Sequence, residues 1–101
     1  MENVTGEQVE KLLENGETVL VDYFAKWCGP CKMLMPRLSK LQEDYPGVKF
    51  VSVDVDENTD HSVNMGIRSV PTVMIYKGSE LINRSSGANA DSFYKNILDT
   101  L

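Results

Sequence analysis

A chain of 101 residues holds enough material for one modest hydrophobic core. At 42% hydrophobic and 25% charged, it has the make-up of an ordinary globular protein, neither disordered nor fibrous. A net charge of −5 argues against nucleic acid as the main partner, because phosphate binding needs a basic face. No apolar run approaches the ~18 residues that cross a bilayer, so no membrane span is expected. The start, "MENVTGEQVEKLL", lacks the basic-then-apolar pattern of a secretory signal. The expected location is therefore the cytoplasm, where thiols are mostly reduced. No repeat, linker or low-complexity stretch interrupts the chain, which predicts one domain over residues 1–101.

Along the chain, Glu2 to Val4 has room for a short extra strand. Thr5, with Gln8 three residues on, makes a capping-box pattern. Val9, Leu12 and Leu13 follow at helical spacing, and Asn15-Gly16 closes this first helix. Thr18 to Ala25 reads as a strand, apolar but for Asp22. Strands without alternation are usually covered on both faces. Lys32 to Tyr45 reads as a helix with Leu34, Leu38, Leu41 and Tyr45 on one face, and Pro36 inside it should kink it or cost a hydrogen bond. Lys49 to Val55 is the next strand, with Val51, Val53 and Val55 on one face. "DENTDHSVNMG" reads as a helical turn ending at Gly66. Thr72 to Tyr76 and Glu80 to Arg84, broken by Gly78-Ser79, predict an antiparallel hairpin. A last helix spans about Ala90 to Leu101, with Phe93, Ile97 and Leu101 as its apolar face. The sum is an α/β chain: a central mixed sheet of four to five strands with helices on both faces.

Both cysteines of the chain lie in "WCGPC", Trp27 to Cys31. In a reducing compartment a CxxC pair is redox-active or metal-binding before it is structural. Gly29 and Pro30 turn the chain from strand into helix, and Pro suits the first helical position. Cys28 then stands at a helix N-terminus, where free N–H groups and the dipole favour a thiolate. Lys26 and Lys32 add positive charge nearby. Cys31, about one turn on, can reach Cys28 and lies deeper. That gives unequal roles: Cys28 attacks a disulfide, and Cys31 resolves the mixed disulfide. Asp22, the lone charge of its strand, is the candidate proton acceptor for Cys31, since burial raises a carboxylate's pKa. A zinc site needs about four ligands. One chain offers two cysteines, the single His61 and scattered carboxylates, so zinc would require two copies sharing their pairs. His61, in a polar turn, reads as a solvated surface residue with no role. Trp27, beside the thiol, reads as a partly exposed contact surface rather than a core aromatic.

The chain resembles the thioredoxin family along nearly its whole length. "VDYFAKWCGPCKMLMP", "VDVDEN", "GIRSVPTVMIYKG" and "SGAN" carry the resemblance in order and spacing. The resemblance implies the thioredoxin fold and a general protein-disulfide reductase that cycles between a Cys28-Cys31 dithiol and disulfide with no bound cofactor. It implies a cis peptide bond before Pro71, with the backbone of Val70 pairing to the substrate chain. Trp27, Gly29, Pro30, Val70 and Gly87 would line the contact surface, Gly29 and Pro30 also tuning the redox potential. Pro36 matches the proline that kinks the family's active-site helix. The implied partners of this expected monomer are disulfide proteins and a thioredoxin reductase, either NADPH-dependent and flavin-bearing or ferredoxin-dependent. Two positions depart from many bacterial members: Ser52 stands where a lysine near the buried aspartate is common, and Phe24 where a tryptophan is common. A dedicated reductant for one enzyme and a non-catalytic interaction subunit are the rival readings.

Overall fold

The computed structural model describes residues 1–101. The elements in order are β1 (Glu2–Asn3), α1 (Gly6–Glu14), β2 (Thr18–Phe24), α2 (Gly29–Leu41), β3 (Lys49–Asp54), α3 (Thr59–Asn64), β4 (Thr72–Lys77), β5 (Glu80–Ser86) and α4 (Asp91–Leu98). The strands form one five-stranded sheet in the order β1-β3-β2-β4-β5. β1 and β2 run parallel to β3, while β4 is antiparallel to both β2 and β5. The mixed sheet follows from the connections: α2 crosses over between parallel β2 and β3, while Gly78-Ser79 simply reverses the chain between β4 and β5.

The capping box forms. Thr5 Oγ1 accepts the Gln8 N–H at 3.2 Å, and Gln8 Oε1 accepts the Thr5 N–H at 2.8 Å. Strand alternation divides the core in two. Val19, Val21 and Tyr23 of β2 point to one side, where they join Val9 of α1 and Val51 and Val53 of β3. Leu20 points to the other, where it packs with Leu34, Leu38 and Leu41 of α2 and Tyr94 and Leu98 of α4. By the same alternation Asp22 shares Leu20's side, the side covered by α2.

Three expectations change. α2 is shifted from the Lys32-to-Tyr45 bounds of its apolar run, while its start at Gly29 with Cys28 as N-cap agrees with Cys28 standing at a helix N-terminus. It runs through Pro36 to Leu41, and a single 3₁₀ turn covers Gln42–Asp44. Pro36 has no N–H, so the Lys32 carbonyl loses its usual helical donor. α4 ends at Leu98, and its buried face centres on Tyr94 and Leu98 rather than Phe93, which is exposed. The reason is polar. The Tyr94 hydroxyl, at the end of a wholly buried ring, accepts the Asn89 N–H at 3.2 Å and lies 3.5 Å from the Gly87 carbonyl. A phenylalanine ring has no such end. His61, expected in solvent, has a side chain only 9% exposed. Its ring stacks on Tyr23, whose hydroxyl lies 2.9 Å from His61 Nε2.

Candidate active site

β2 leads directly into the reactive segment. The chain leaves β2 at Phe24, turns through Ala25 to Trp27, and enters α2 with Cys28 as N-cap. Cys28 has extended backbone angles (φ −88°, ψ 113°), and its Sγ accepts the Cys31 N–H at 3.2 Å. A serine or aspartate oxygen usually does this work at a helix start. Here the acceptor is sulfur, so the hydrogen bond and the helix dipole favour negative charge on that atom. No acidic residue lies in the first turn of α2 to oppose this.

Cys28 and Cys31 are joined as a disulfide, their Cα atoms 5.3 Å apart. Both are buried, with Cys28 slightly the more open at 4% against 1%. The Val70–Pro71 peptide is cis, as the resemblance implied, and the Val70 carbonyl oxygen lies 3.6 Å from Cys28 Sγ. The Gly87 N–H donates to the Pro71 carbonyl at 2.8 Å, with Gly87 at φ +83°, so this glycine is tied to the same loop. A shallow groove of about 130 Å³ runs between Trp27 and Val70, lined also by Val55, Ile67, Arg68 and Ser69. Trp27 forms its outer wall. It is 72% exposed, and its indole N–H donates to Asp56 Oδ2 at 2.9 Å. A second, almost wholly apolar cleft of about 220 Å³ reaches Cys31 between Phe24, Ala25, Met35 and the stems of Lys26 and Lys32.

Asp22 is fully buried, and neither carboxylate oxygen has a hydrogen-bond partner. Burial alone pushes its pKa from 3.8 up to about 7. Ser52 stands beside it in register, but the Ser52 hydroxyl faces Asn3 Oδ1 at 3.4 Å. The nearest cation in sequence, Lys26, is engaged elsewhere, 4.0 Å from Asp54 Oδ2 and 3.6 Å from Glu57 Oε1. No charge therefore counters the desolvation. No three of the His, Cys, Asp and Glu side chains come together as a cluster able to hold a metal ion.

The sequence-predicted residues thus converge. Cys28, Cys31, Val70 and the cis Pro71 meet at the C-terminal edge of the sheet. Trp27 and Gly87 flank them, and Asp22 lies on the sheet face beneath α2. Sequence reasoning passed over Asp54 and Asp56, which hold the loop under Trp27. Their one visible sign was that two acids alternate with valines in "VSVDVD".

A CxxC pair at disulfide distance, its first cysteine capping a helix beside a mixed sheet, marks a thiol-disulfide oxidoreductase whose redox group is its own cysteine pair. The comparisons agree. The thioredoxin family model matches residues 1–99. Thioredoxin-3, mitochondrial, of Saccharomyces cerevisiae is 38% identical over 92 residues, covering 91% of this chain and 72% of that protein. The thioredoxin of Synechocystis is 42% identical over 80 residues, covering 78% and 75%. Among solved structures, Fasciola hepatica thioredoxin superposes with a TM-score of 0.87 at 33% identity, covering 98% of both chains. Chloroplastic thioredoxin z gives 0.90 at 33% identity, covering 99% of this chain and 92% of that one. A structure describing thiol resolution in yeast mitochondrial 1-Cys peroxiredoxin by the glutathione and thioredoxin systems gives 0.87 at 35%, covering 98% and 94%. The chain belongs to the thioredoxin family. It is a general protein-disulfide reductase, acting on disulfide substrates through the Cys28–Cys31 pair.

Proposed function

We propose a division of labour within this site. The Cys28 thiolate attacks one sulfur of a substrate disulfide. A Cys28–substrate bond forms, the substrate S–S bond breaks, and the departing sulfur leaves as a thiolate. Cys31 then gives its proton to the Asp22 carboxylate, and its sulfur attacks Cys28 Sγ. The second substrate sulfur leaves and is protonated, and two electrons have passed from the dithiol to the substrate. The observation that carries this reading is the Cys31 N–H donated to Cys28 Sγ at 3.2 Å, on the side of the sheet that also buries the partnerless Asp22.

Substrate docks in extended form beside Val70, whose carbonyl offers a strand-like hydrogen bond next to Cys28. Trp27, Pro71 and Gly87 frame this contact, while Gly29 and Pro30 set the start of α2 and so the charge felt by the thiolate. The oxidised pair is returned to the dithiol by a thioredoxin reductase, drawing electrons from NADPH through a flavin or from ferredoxin. The chain works as a monomeric single domain in a reducing compartment, with the cytoplasm as the assignment.

The test is a pair of variants with insulin as substrate and dithiothreitol as reductant. Cys28→Ser should abolish turnover. Cys31→Ser should trap substrate as a mixed disulfide at position 28, identifiable by mass spectrometry. Trapping at position 31 in Cys28→Ser would reverse the roles. Turnover with NADPH-linked and ferredoxin-linked reductases in parallel identifies the electron source.

A further inference from the structure

We infer that Asp54, a residue outside the reacting groups, is a positioning residue for Trp27, and through it for the outer wall of the docking groove. The inference rests on the docking role proposed for Trp27. An indole that is 72% exposed is not held by packing, so its orientation depends on what its N–H finds. It finds Asp56 Oδ2 at 2.9 Å. Asp56 lies in the loop after β3, and a loop carboxylate is only as well placed as its backbone.

Asp54 fixes that backbone. It is the last residue of β3, in register with Phe24 of β2, and its side chain is 3% exposed. Its Oδ1 accepts the Asp56 N–H at 2.9 Å, an Asx turn that bends the chain within two residues. Its carbonyl accepts the Asn58 amide N–H at 2.9 Å, and Asn58 Oδ1 in turn accepts the Gly6 N–H at 3.0 Å at the start of α1. The Val55 N–H donates to the Phe24 carbonyl at 2.9 Å. The loop is thereby pinned to the sheet and to α1, and Asp54 makes the shorter of the two side-chain contacts to the backbone beneath the indole, the other being Thr59 Oγ1 to the Asp56 carbonyl at 3.5 Å. A carboxylate taken out of water needs such use to be tolerated. Lys26, 4.0 Å from Asp54 Oδ2 and three-quarters exposed, compensates its charge only weakly.

The experiment compares wild type, Asp54→Ala, Asp56→Ala and the double variant. The chain has a single tryptophan, so indole signals report on this ring alone. The first readout is the ¹⁵N relaxation and proton exchange of the Trp27 indole N–H. The second is KM for insulin against KM for hydroxyethyl disulfide, which is too small to need the groove wall. Asp54→Ala should loosen the indole and speed its exchange. It should raise KM for insulin about fivefold, the effect of one lost hydrogen bond, and leave hydroxyethyl disulfide within about twofold. Asp56→Ala should do the same, and the double variant should add nothing. An unchanged indole in a folded Asp54→Ala protein, or fully additive effects, overturns the inference. If Asp54→Ala does not fold, Asp54→Asn decides: its neutral amide accepts more weakly, so a shift of about twofold supports the inference and none overturns it. Trp27→Ala separates the two readings. If it leaves insulin KM unchanged, the docking role fails, and the indole signals alone judge Asp54.

Discussion

At the residue scale, the burial of Asp22 without a partner has consequences that can be measured. A carboxyl held at about 7 in the folded chain and near 3.8 when unfolded keeps a proton that the unfolded chain has given up. Between those two values the folded state binds more protons, so stability falls as pH rises from about 4 to about 7. The stability is full below the unfolded pKa and lost as pH climbs through the folded one. About three pKa units correspond to about 4 kcal/mol. Asp22→Asn removes the penalty without changing size. Urea denaturation of the oxidised protein should show the variant more stable by a few kcal/mol at pH 8 and nearly equal to wild type at pH 4. Equal stabilities at pH 8 would show that Asp22 is not desolvated as described. The same substitution should slow release of the mixed disulfide at pH 7 by roughly tenfold, the low side of general-base effects because water also accepts the proton. Stopped-flow release rates check this, and wild type should lose rate below pH 7 where Asp22 holds its proton. This residue was legible in the sequence because one charge stood in an apolar strand. His61 and Asp54 were not, because what buries them lies far along the chain. His61 packs against Tyr23 and Gly6, 38 and 55 positions away, and no local pattern records that.

At the element scale, the packing of α1 on α3 leaves no room for a side chain at Gly6. Gly6 opens α1, and a Cβ there would stand 2.2 Å from His61 Cγ and 2.4 Å from His61 Cβ. Alanine has the better helix propensity by up to about 1 kcal/mol, less in the first turn. The clash outweighs it, because the imidazole is held by its stack on Tyr23 and cannot swing aside. Gly6→Ala should therefore destabilise by about 1–3 kcal/mol in chemical denaturation. Adding His61→Ala should recover part of that loss, so the double variant is more stable than the sum of the singles predicts. A neutral Gly6→Ala would mean that α3 yields easily. The C-terminus of α3 argues that it does not, since Arg84 of β5 donates to the Met65 carbonyl at 2.7 Å and to the Gly66 carbonyl. Element type and order were readable from periodicity, caps and turns. Element ends were less so. The end of α2 was hidden because its apolar stripe carries on to Tyr45, past the 3₁₀ turn at Gln42–Asp44, and the face of α4 because Tyr94 and Phe93 look alike to a hydrophobicity pattern. Only the Tyr94 hydroxyl, satisfied by Asn89 and Gly87, decides between them.

At the scale of the whole molecule, two charge patterns compete. The chain carries −5 overall, yet Lys26 and Lys32 flank the cysteines and Arg68 lines the groove. Which pattern a partner feels depends on how far the field reaches. The molecule measures 30 × 29 × 20 Å. At 0.01 M salt the Debye length is about 30 Å, as large as the protein, so an approaching partner senses the net charge. At 0.15 M it is about 8 Å, and the partner senses only the residues around Cys28. An acidic disulfide protein should therefore be reduced slowly at low salt, and its kcat/KM should rise as ionic strength increases to 0.15 M. A basic disulfide protein should show the opposite slope, starting fast and slowing. Above that salt both should flatten, because only short-range contacts remain. Hydroxyethyl disulfide, uncharged, should show no slope at all and serves as the control for effects on the chemistry itself. A flat profile for both proteins from 0.01 M upward would show that charge, whether of the whole molecule or of Lys26, Lys32 and Arg68, does not control the encounter.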